Sequence, residues 1–492
     1  YGGVMCGTGP FWLAEYDPTT GYTLRRFEDY WGGWPAYWPN IGGAKPQGYI
    51  DVFQYSRVTD EDLRILDLKA GTCDFATVPR EKAWMLHDAP AGTPPKDAMN
   101  NYPTLEGIRL MPNIPELVTA TMFFTYNIST ESIYMTYDST DPDPDRDGVN
   151  GLPYGTIDPL GIPPDFFSNI HCRKAFAYAL NYTMLLEDVM MGEAYQPTTC
   201  APAGLRYYNS SIPTYYYDPN KVVEELQQAM FTELDSGTTK SVYDVGFSLY
   251  ILYNEGNTFR QRAAECIRDT FADLAHDGVQ FNVVVQSIDW RTYLALMWSH
   301  QLPVFIIGWL ADYADIHNFI HPYMHSAGAY GWAQCINYPE WDELIEKAVR
   351  LPDGPERDKI YDKLQWYYYV ECPSVTIDVV VGRHYERDWI NGFFVNPLHP
   401  GIWAYSLWKW YYLPGDFDRD GKVTMVDIGL ACDAFGSYYG KGGMPVVHER
   451  WNFWCDADNS PRTGWRDLKV DMYDIGVACS YFGQQIEPWS PP

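Results

Sequence analysis

The apolar positions fall into their clearest pattern between residues 244 and 310. "VGFSLYILYN" is apolar at almost every place, which predicts a buried strand. "TFRQRAAECIRDTFADLAHDG" shifts to helical spacing and predicts a helix that Gly278 ends. "VQFNVVVQSI" is a second strand, "DWRTYLALMWSHQ" a second helix and "PVFIIGW" a third strand. Strand, helix, strand, helix and strand with short connections predict a parallel sheet with right-handed crossovers. Upstream, "SNIHCRKAFAYALNYTMLLEDVM" reads as one helix opened by a Ser/Asn cap. Downstream, "YPEWDELIEKAVR" and "PERDKIYDKLQWYYYVE" are amphipathic helices, acidic early and basic later. "SVTIDVVVGRHYERDWINGFFVNP" reads as strands and turns.

Ligands of such sheets bind beyond the carboxyl ends of the strands. The segment past the third strand is "LADYADIHNF", so Asp312 and Asp315 sit where a ligand would be met, beside Trp309 and Tyr313. Asp312 could equally cap its loop, and Trp309 could be plain core packing.

A different pattern rules the end of the chain. In "GDFDRDGKVTMVD", residues 415 to 427, Asp416, Asp418 and Asp420 alternate around a turn that Gly421 permits. Lys422 supplies a carbonyl, Thr424 or its water the next position, and Asp427 closes the loop. That is the oxygen set of a twelve-residue Ca2+ loop, with Asp replacing the more usual closing Glu. "VDIGLACDAFG" (426–436) recurs as "YDIGVACSYFG" (473–483), so the tail is duplicated. The second copy offers Asp456 and Asp458, then Asp471 and Asp474 after an insertion, with Asn459, Ser460 or Asp467 as its middle ligand. Each loop leads into a short apolar helix, and neither could bury its face alone. The two should pack together, with the metal supplying much of the folding energy. A third acidic stretch, "DPDPDRDGVNG", carries Asp143, Asp145 and Asp147 before Gly148 but has Tyr154 at the twelfth place. It is either a further Ca2+ loop, closed by Asp158, Asp138 or Asp141, or a solvated acidic turn.

Charge narrows the partners. Among 492 residues, 64 acidic against 35 basic side chains give a formal charge of −29, which argues against nucleic acid or an anionic membrane as partner. No apolar run is long enough to span a bilayer, and no signal peptide opens the chain, as in a mature or trimmed product. Ten cysteines without CxxC or finger spacing fit disulfides rather than zinc. Cys432 and Cys479 hold equivalent places in the tail repeats and could bridge them. Sequons at Asn127, Asn181 and Asn209 permit N-glycosylation. Together these place the protein outside the cytoplasm. With no GxSxG elbow, HExxH or Walker loop, nothing indicates an enzyme beyond the carboxylate pair Asp312/Asp315.

Five stretches in order, "GTGPFWLAEYDPTTGYTLRRFEDYWGG" (7–33), "LRILDLKAGTCDFATV" (63–78), "PPDFFSNIHCRKAFAYALNY" (163–182), "GWLADYADIHNF" (308–319) and "GFFVNPLHPGIWAYSLWKW" (392–410), carry a resemblance to the family-5 extracellular solute-binding proteins of ABC importers. It spans about residues 1–412. Residues 415–486 resemble a dockerin, the calcium-dependent module that plugs into cohesins. The resemblance implies an α/β, two-lobed, type II periplasmic-binding-protein-like fold with a small all-α, EF-hand-like tail. The implied domains are 1–240 (the rest of lobe I and connections), 241–412 (the α/β lobe and the return to lobe I) and 415–486. It also implies capture of oligopeptides or oligosaccharides at the cell surface for an ABC permease, with Asp312 pairing to a peptide's α-amino group and Trp309 as a flat wall. Arg173 and Lys174 would stabilise the helix and lobe boundary. The combination looks archaeal. The alternative is a structural surface or filament subunit, self-associating or meeting a cohesin-like partner through calcium.

Two departures stand out. The chain begins at "GTGPF", where the family has a segment completing lobe I and its cleft wall. "HNFIHPYMH" sets His317, His321 and His325 at four-residue spacing, which suits a transition metal such as some relatives bind, although Pro322 argues against a regular helix.

Overall fold

The computed structural model describes residues 7–31, 50–136, 150–398, 401–409, 425–434 and Cys479. The chain divides into two compact units. One is Asn113–Gly382 with Asn396–Pro400; the other gathers Tyr1–Pro112, Arg383–Val395 and Gly401–Pro492. Residue 240 lies inside the first unit, in the strand Thr239–Ser241.

The first unit is built on a mixed six-stranded sheet. Its strands are β1 (Ile108–Phe124), β2 (Ala194–Tyr195), β3 (Phe247–Asn254), β4 (Phe281–Ile288), β5 (Val304–Leu310) and β6 (Ser374–Arg387), in the order β4-β3-β5-β1-β6-β2. β4 and β5 flank β3 and run parallel to it, as the pattern between 244 and 310 predicts. The rest of the sheet differs from that expectation: β1 lies antiparallel to β5, from Val304↔Phe124 to Leu310↔Val118, and β6 antiparallel to β2.

The helices that cover it are α1 (Ile170–Ala179), α2 (Pro219–Gln228), α3 (Thr258–Asp273), α4 (Trp290–Trp298), α5 (His317–Met324), α6 (Pro339–Arg350) and α7 (Pro355–Glu371). Side chains of a strand alternate between faces. Phe247, Leu249, Ile251, Val304 and Ile306 therefore pack in one core with Ala263, Ile267 and Phe271 of α3. Tyr250, Leu252, Phe305 and Ile307 enter a second core with Tyr293 and Met297 of α4. A sheet buried on both faces needs apolar side chains at successive positions, which is why these strands read as continuous runs.

Three helix boundaries differ from the sequence pattern. α3 stops at Asp273, and Gly278 serves another purpose: with Asp277 it forms a left-handed turn in which His276 and Val279 exchange backbone hydrogen bonds. The long helix expected over 168–190 breaks at Leu180, because Asn181 turns its side-chain oxygen to the Met184 N–H while its own N–H points at Cys266 Sγ. That local cap competes with helix propagation. Finally, α5 passes through Pro322. The ring costs a hydrogen bond to the Asn318 carbonyl, but Phe319, Ile320, Tyr323 and Met324 are fully buried and hold the turn.

In the other unit, Phe11–Asp17, Gly21–Arg26 and Val52–Ser56 form an antiparallel sheet. Helix Glu61–Ala70 is capped by Asp60 and by left-handed Gly71. Glu386 is 0% exposed and is met by Arg109 and His384.

Arg173 is 1% exposed. Its guanidinium donates to the carbonyls of Phe167, Ser168, Glu371 and Cys372 and lies 4.3 Å from the centroid of the Tyr126 ring. Glu371 and Cys372 end α7, so the cation answers both the orphan carbonyls and the negative end of that helix dipole. Arg173→Met should lower unfolding stability by about 3–5 kcal/mol, because buried acceptors are left without donors. A urea-denaturation midpoint within error of the wild type would refute this role.

Along α5 and its C-cap three imidazoles follow one another: His317 and His321 are tilted by 50° with centroids 5.3 Å apart, and His321 and His325 stack at 4.6 Å. Burial lowers the His317 pKa to about 4, helped by His321, Arg357 and His325 and opposed by Asp315. Burial also lowers that of His321, with His325 adding to it and Asp342 and Glu346 opposing. The unfolded chain binds a proton at His317 near pH 6.5 while the folded chain waits until about pH 4. Stability from this group is thus full above pH 6.5 and lost as pH falls towards 4. His317→Gln should shrink the drop in melting temperature between pH 7.5 and 4.5; equal drops in both proteins would contradict the assignment.

Candidate ligand-binding site

The order β4-β3-β5, with chain order β3, β4, β5, reverses direction between β3 and β5, which is where α/β sheets open a crevice at their carboxyl ends. Trp309 is the penultimate residue of β5 and Asp312 the second after it. With Tyr313, His317, Asn318, His321, Pro322 and Ala329 they line an open recess of about 330 Å³. Trp309, Asp312 and Tyr313, expected together at the end of the third strand, are thereby brought together.

Each side chain has a distinct setting. Trp309 is half-buried, edge-on to Tyr330 with centroids 5.5 Å apart, and so serves both as core and as wall. Tyr330 is itself tied by its hydroxyl to the Gly308 carbonyl, 2.6 Å away. Asp312 is exposed. Its carboxylate accepts from Asn318 Nδ2 at 3.1 Å, and among the described residues no cationic side chain pairs with it. Tyr313 is 45% exposed at the rim.

Asp315 stands apart from this group. One oxygen accepts the His317 N–H at 2.9 Å, and the other pairs with Arg357 at 2.9 Å. Arg357 also holds Asp353 at 3.0 Å. Asp315 is therefore spent on anchoring the start of α5 to α7 rather than left for a ligand.

The sequence pattern gave no sign of Asn318. Its Oδ1 accepts from Trp309 Nε1 at 3.1 Å and from the Asp312 N–H at 2.9 Å. The available signal was an amide six residues after Asp312, on the same loop-to-helix turn.

His317 and His321 also line the recess, each held below the ordinary imidazole pKa chiefly by burial. His325 turns away, accepting the Ala327 N–H at Nδ1 and lying 3.7 Å from Asp342 and 3.8 Å from Glu346. Among the described residues no three His, Cys, Asp or Glu side chains converge on a metal position.

The remaining residues singled out in the sequence fall elsewhere. Asp416, Asp418, Asp420, Lys422, Thr424, Asp456, Asp458, Asp471 and Asp474 lie outside the described residues, as do Asp143, Asp145 and Asp147. Asp427 falls within the helix Met425–Ala434, which begins over the last residues of the first loop and carries on along the apolar stretch after it. Asp158, one of the residues offered to close the third acidic loop, caps the Leu160 N–H at 2.8 Å.

Among the described residues all eight cysteines are free thiols, Cys432 and Cys479 included. Cys172, Cys200, Cys266 and Cys372 are buried and act as small apolar side chains rather than disulfide partners. Of the sequon asparagines, Asn127 is exposed, Asn181 is half-buried as a cap, and Asn209 gives its Nδ2 to Asp362 at 3.0 Å.

The family model for bacterial extracellular solute-binding proteins, family 5 Middle, matches residues 1–331. Heme-binding protein A of Haemophilus influenzae is 24% identical over 397 residues, 80% of this chain and 58% of that protein. The dipeptide-binding protein of Escherichia coli is 22% identical over 401 residues, 80% of this chain and 59% of that one. Among solved structures, DppA from Helicobacter pylori in complex with the peptide STSA shares the fold, with a TM-score of 0.55 at 19% identity over 82% of this chain and 63% of its own. The chain thus spans less than two thirds of the length of these relatives. Their shared architecture is the two-lobed, periplasmic-binding-protein-like α/β fold. With two thirds of its length inside the family match, the chain belongs to the family 5 bacterial extracellular solute-binding proteins, which bind solutes and are not enzymes.

Proposed function

We propose that this protein captures a peptide outside the cytoplasm and delivers it to an ABC permease, with Asp312 receiving the peptide's α-amino group. The observation that carries this reading is an exposed carboxylate with no cationic partner among the described residues, beside an indole in a recess at the strand ends. A desolvated ammonium calls for such a charged acceptor. An oligosaccharide brings no cation and leaves that charge unused, while heme brings carboxylates that Asp312 repels. The relative from E. coli is named for dipeptides and the solved H. pylori neighbour holds a peptide, which supports the choice.

We also propose that residues 415–486 form a dockerin-like, Ca2+-holding attachment module at the cell surface. The register of "GDFDRDGKVTMVD" supports it, as does the helix that follows, in which Ala431 is buried.

Isothermal titration with trialanine, N-acetyl-trialanine, maltotriose and hemin tests the ligand class. Trialanine should bind and the other three should bind far more weakly. Asp312→Asn should weaken trialanine by about 30-fold or more, the range expected when one partner of a desolvated charge pair is truncated. An unaltered affinity in that variant would remove Asp312 from the site, and a wild type that prefers maltotriose or hemin would replace the ligand class.

For the tail, adding EGTA should lower the melting temperature of the wild type and lower that of an Asp418→Ala, Asp420→Ala variant by less, since only its second loop still holds Ca2+. Light scattering in the same buffers decides its use. A monomer throughout fits a receptor with a calcium-held module, and large particles that dissociate on chelation would make the tail a joint between copies.

A further inference from the structure

We infer that Asn318 is the positioning residue of this site: a single buried amide that sets both the Trp309 indole and the Asp312 carboxylate for the ligand. Resting on the peptide reading above, the inference assigns that recognition a control point that the sequence pattern does not reveal.

Asn318 sits in the first turn of α5 and is 5% exposed. Its orientation is fixed by its neighbours. The Trp309 Nε1–H and the Asp312 backbone N–H can only donate, so both must face the amide oxygen, at 3.1 Å and 2.9 Å. Both lone pairs are then used, and the amide cannot flip without placing N–H against N–H. Nδ2 consequently faces Asp312 Oδ2, at 3.1 Å, where an ionised carboxylate accepts it. One side chain thereby fixes the end of β5, the backbone of the loop and the carboxylate at its tip.

The same amide holds three further conditions together. It keeps a donor, rather than a second acid, against Asp312. It ties the indole edge, so that the ring face stays turned along the recess. Its own backbone N–H is held by the Asp315 carbonyl at 3.0 Å, and Asp315 is clamped by Arg357. The position of Asn318 therefore derives from the α5–α7 ion pair and not from the ligand.

Two variants separate positioning from mere folding. Asn318→Leu keeps the volume and removes these three bonds together with the amide's bond to Tyr313. It should weaken trialanine 10- to 100-fold and bring its affinity towards that of N-acetyl-trialanine. Without ligand, the Trp309 emission, obtained by subtracting the same protein carrying Trp309→Phe, should shift to longer wavelength and become more open to acrylamide. Asn318→Asp keeps both acceptor bonds, so the Trp309 emission should match the wild type. It also sets two carboxylates face to face, which then share a proton. Trialanine affinity should therefore gain a pH dependence between pH 5 and 7 beyond that which His317, His321 and the peptide's own amine give the wild type.

Asn318→Leu with affinity within twofold of the wild type would overturn the inference, as would an unmoved Trp309 emission. Should Asn318→Leu fail to fold, Asn318→Asp decides: affinity that tracks the wild type at every pH counts against positioning. A wild type that binds no free-amine peptide would sink the ligand reading alone, because the ligand-free Trp309 measurement still passes judgement on Asn318.

Discussion

Both faces of the six-stranded sheet are packed with apolar side chains, and that constraint decides where polar chemistry can go. A carboxylate on either face is stripped of water and must be satisfied from within the protein, as Asp378 of β6 is in part by the Ala120 N–H. A charge kept for an outside ligand therefore belongs at a strand end, and at the carboxyl end of β5 the reversal of strand order adds a crevice. Trp309 still points into the half-buried margin of the second core, whereas Asp312, three residues later, is already exposed. The site is thus the place where the packing of the sheet gives out.

The charges that do lie inside are answered by geometry. Arg173 spreads its cation over four carbonyls and an aromatic ring, two of those carbonyls at the end of α7. Glu386, equally buried, shares Arg109 and His384. Asp315 is held by Arg357, which ties the site loop to α7. Asp312 differs from these carboxylates: it has an amide for a neighbour and its charge is not neutralised. That contrast, more than its place in the chain, marks it as a group kept for something outside the protein.

Much of this was legible in the sequence because it follows from local rules. α7 occupies the stretch 355–371 that its pattern marks, β3 and β4 lie within their apolar runs, and β5 overruns the third only by Leu310. Trp309, Asp312 and Tyr313 could be placed together because the end of a predicted strand is a place in space. What was missed depends on partners far along the chain. β1 holds two prolines and several polar residues, so its strand state rests on pairing with β5 and not on its own composition. Gly278 looks like a helix stop, and only the exchange of bonds between His276 and Val279 shows it as a turn. Asp315 resembles Asp312 in every local respect; Arg357, forty-two residues away, distinguishes them. Asn318 reads as an ordinary helical residue until three donors and acceptors are found around it.

The shared amide also bears on how such a site can change over generations. Replacing Trp309 or Asp312 alone would strand a buried polar group that the old partner satisfied. Two of the walls are therefore bound to each other, and alterations there must arrive in pairs. His321 and Ala329 line the recess outside that knot, whereas Tyr313 is tied to Asn318 as well. New preferences for the parts of a ligand beyond its amino terminus are accordingly most accessible, in single steps, on that side of the recess, while the demand for a cation is inherited nearly unchanged.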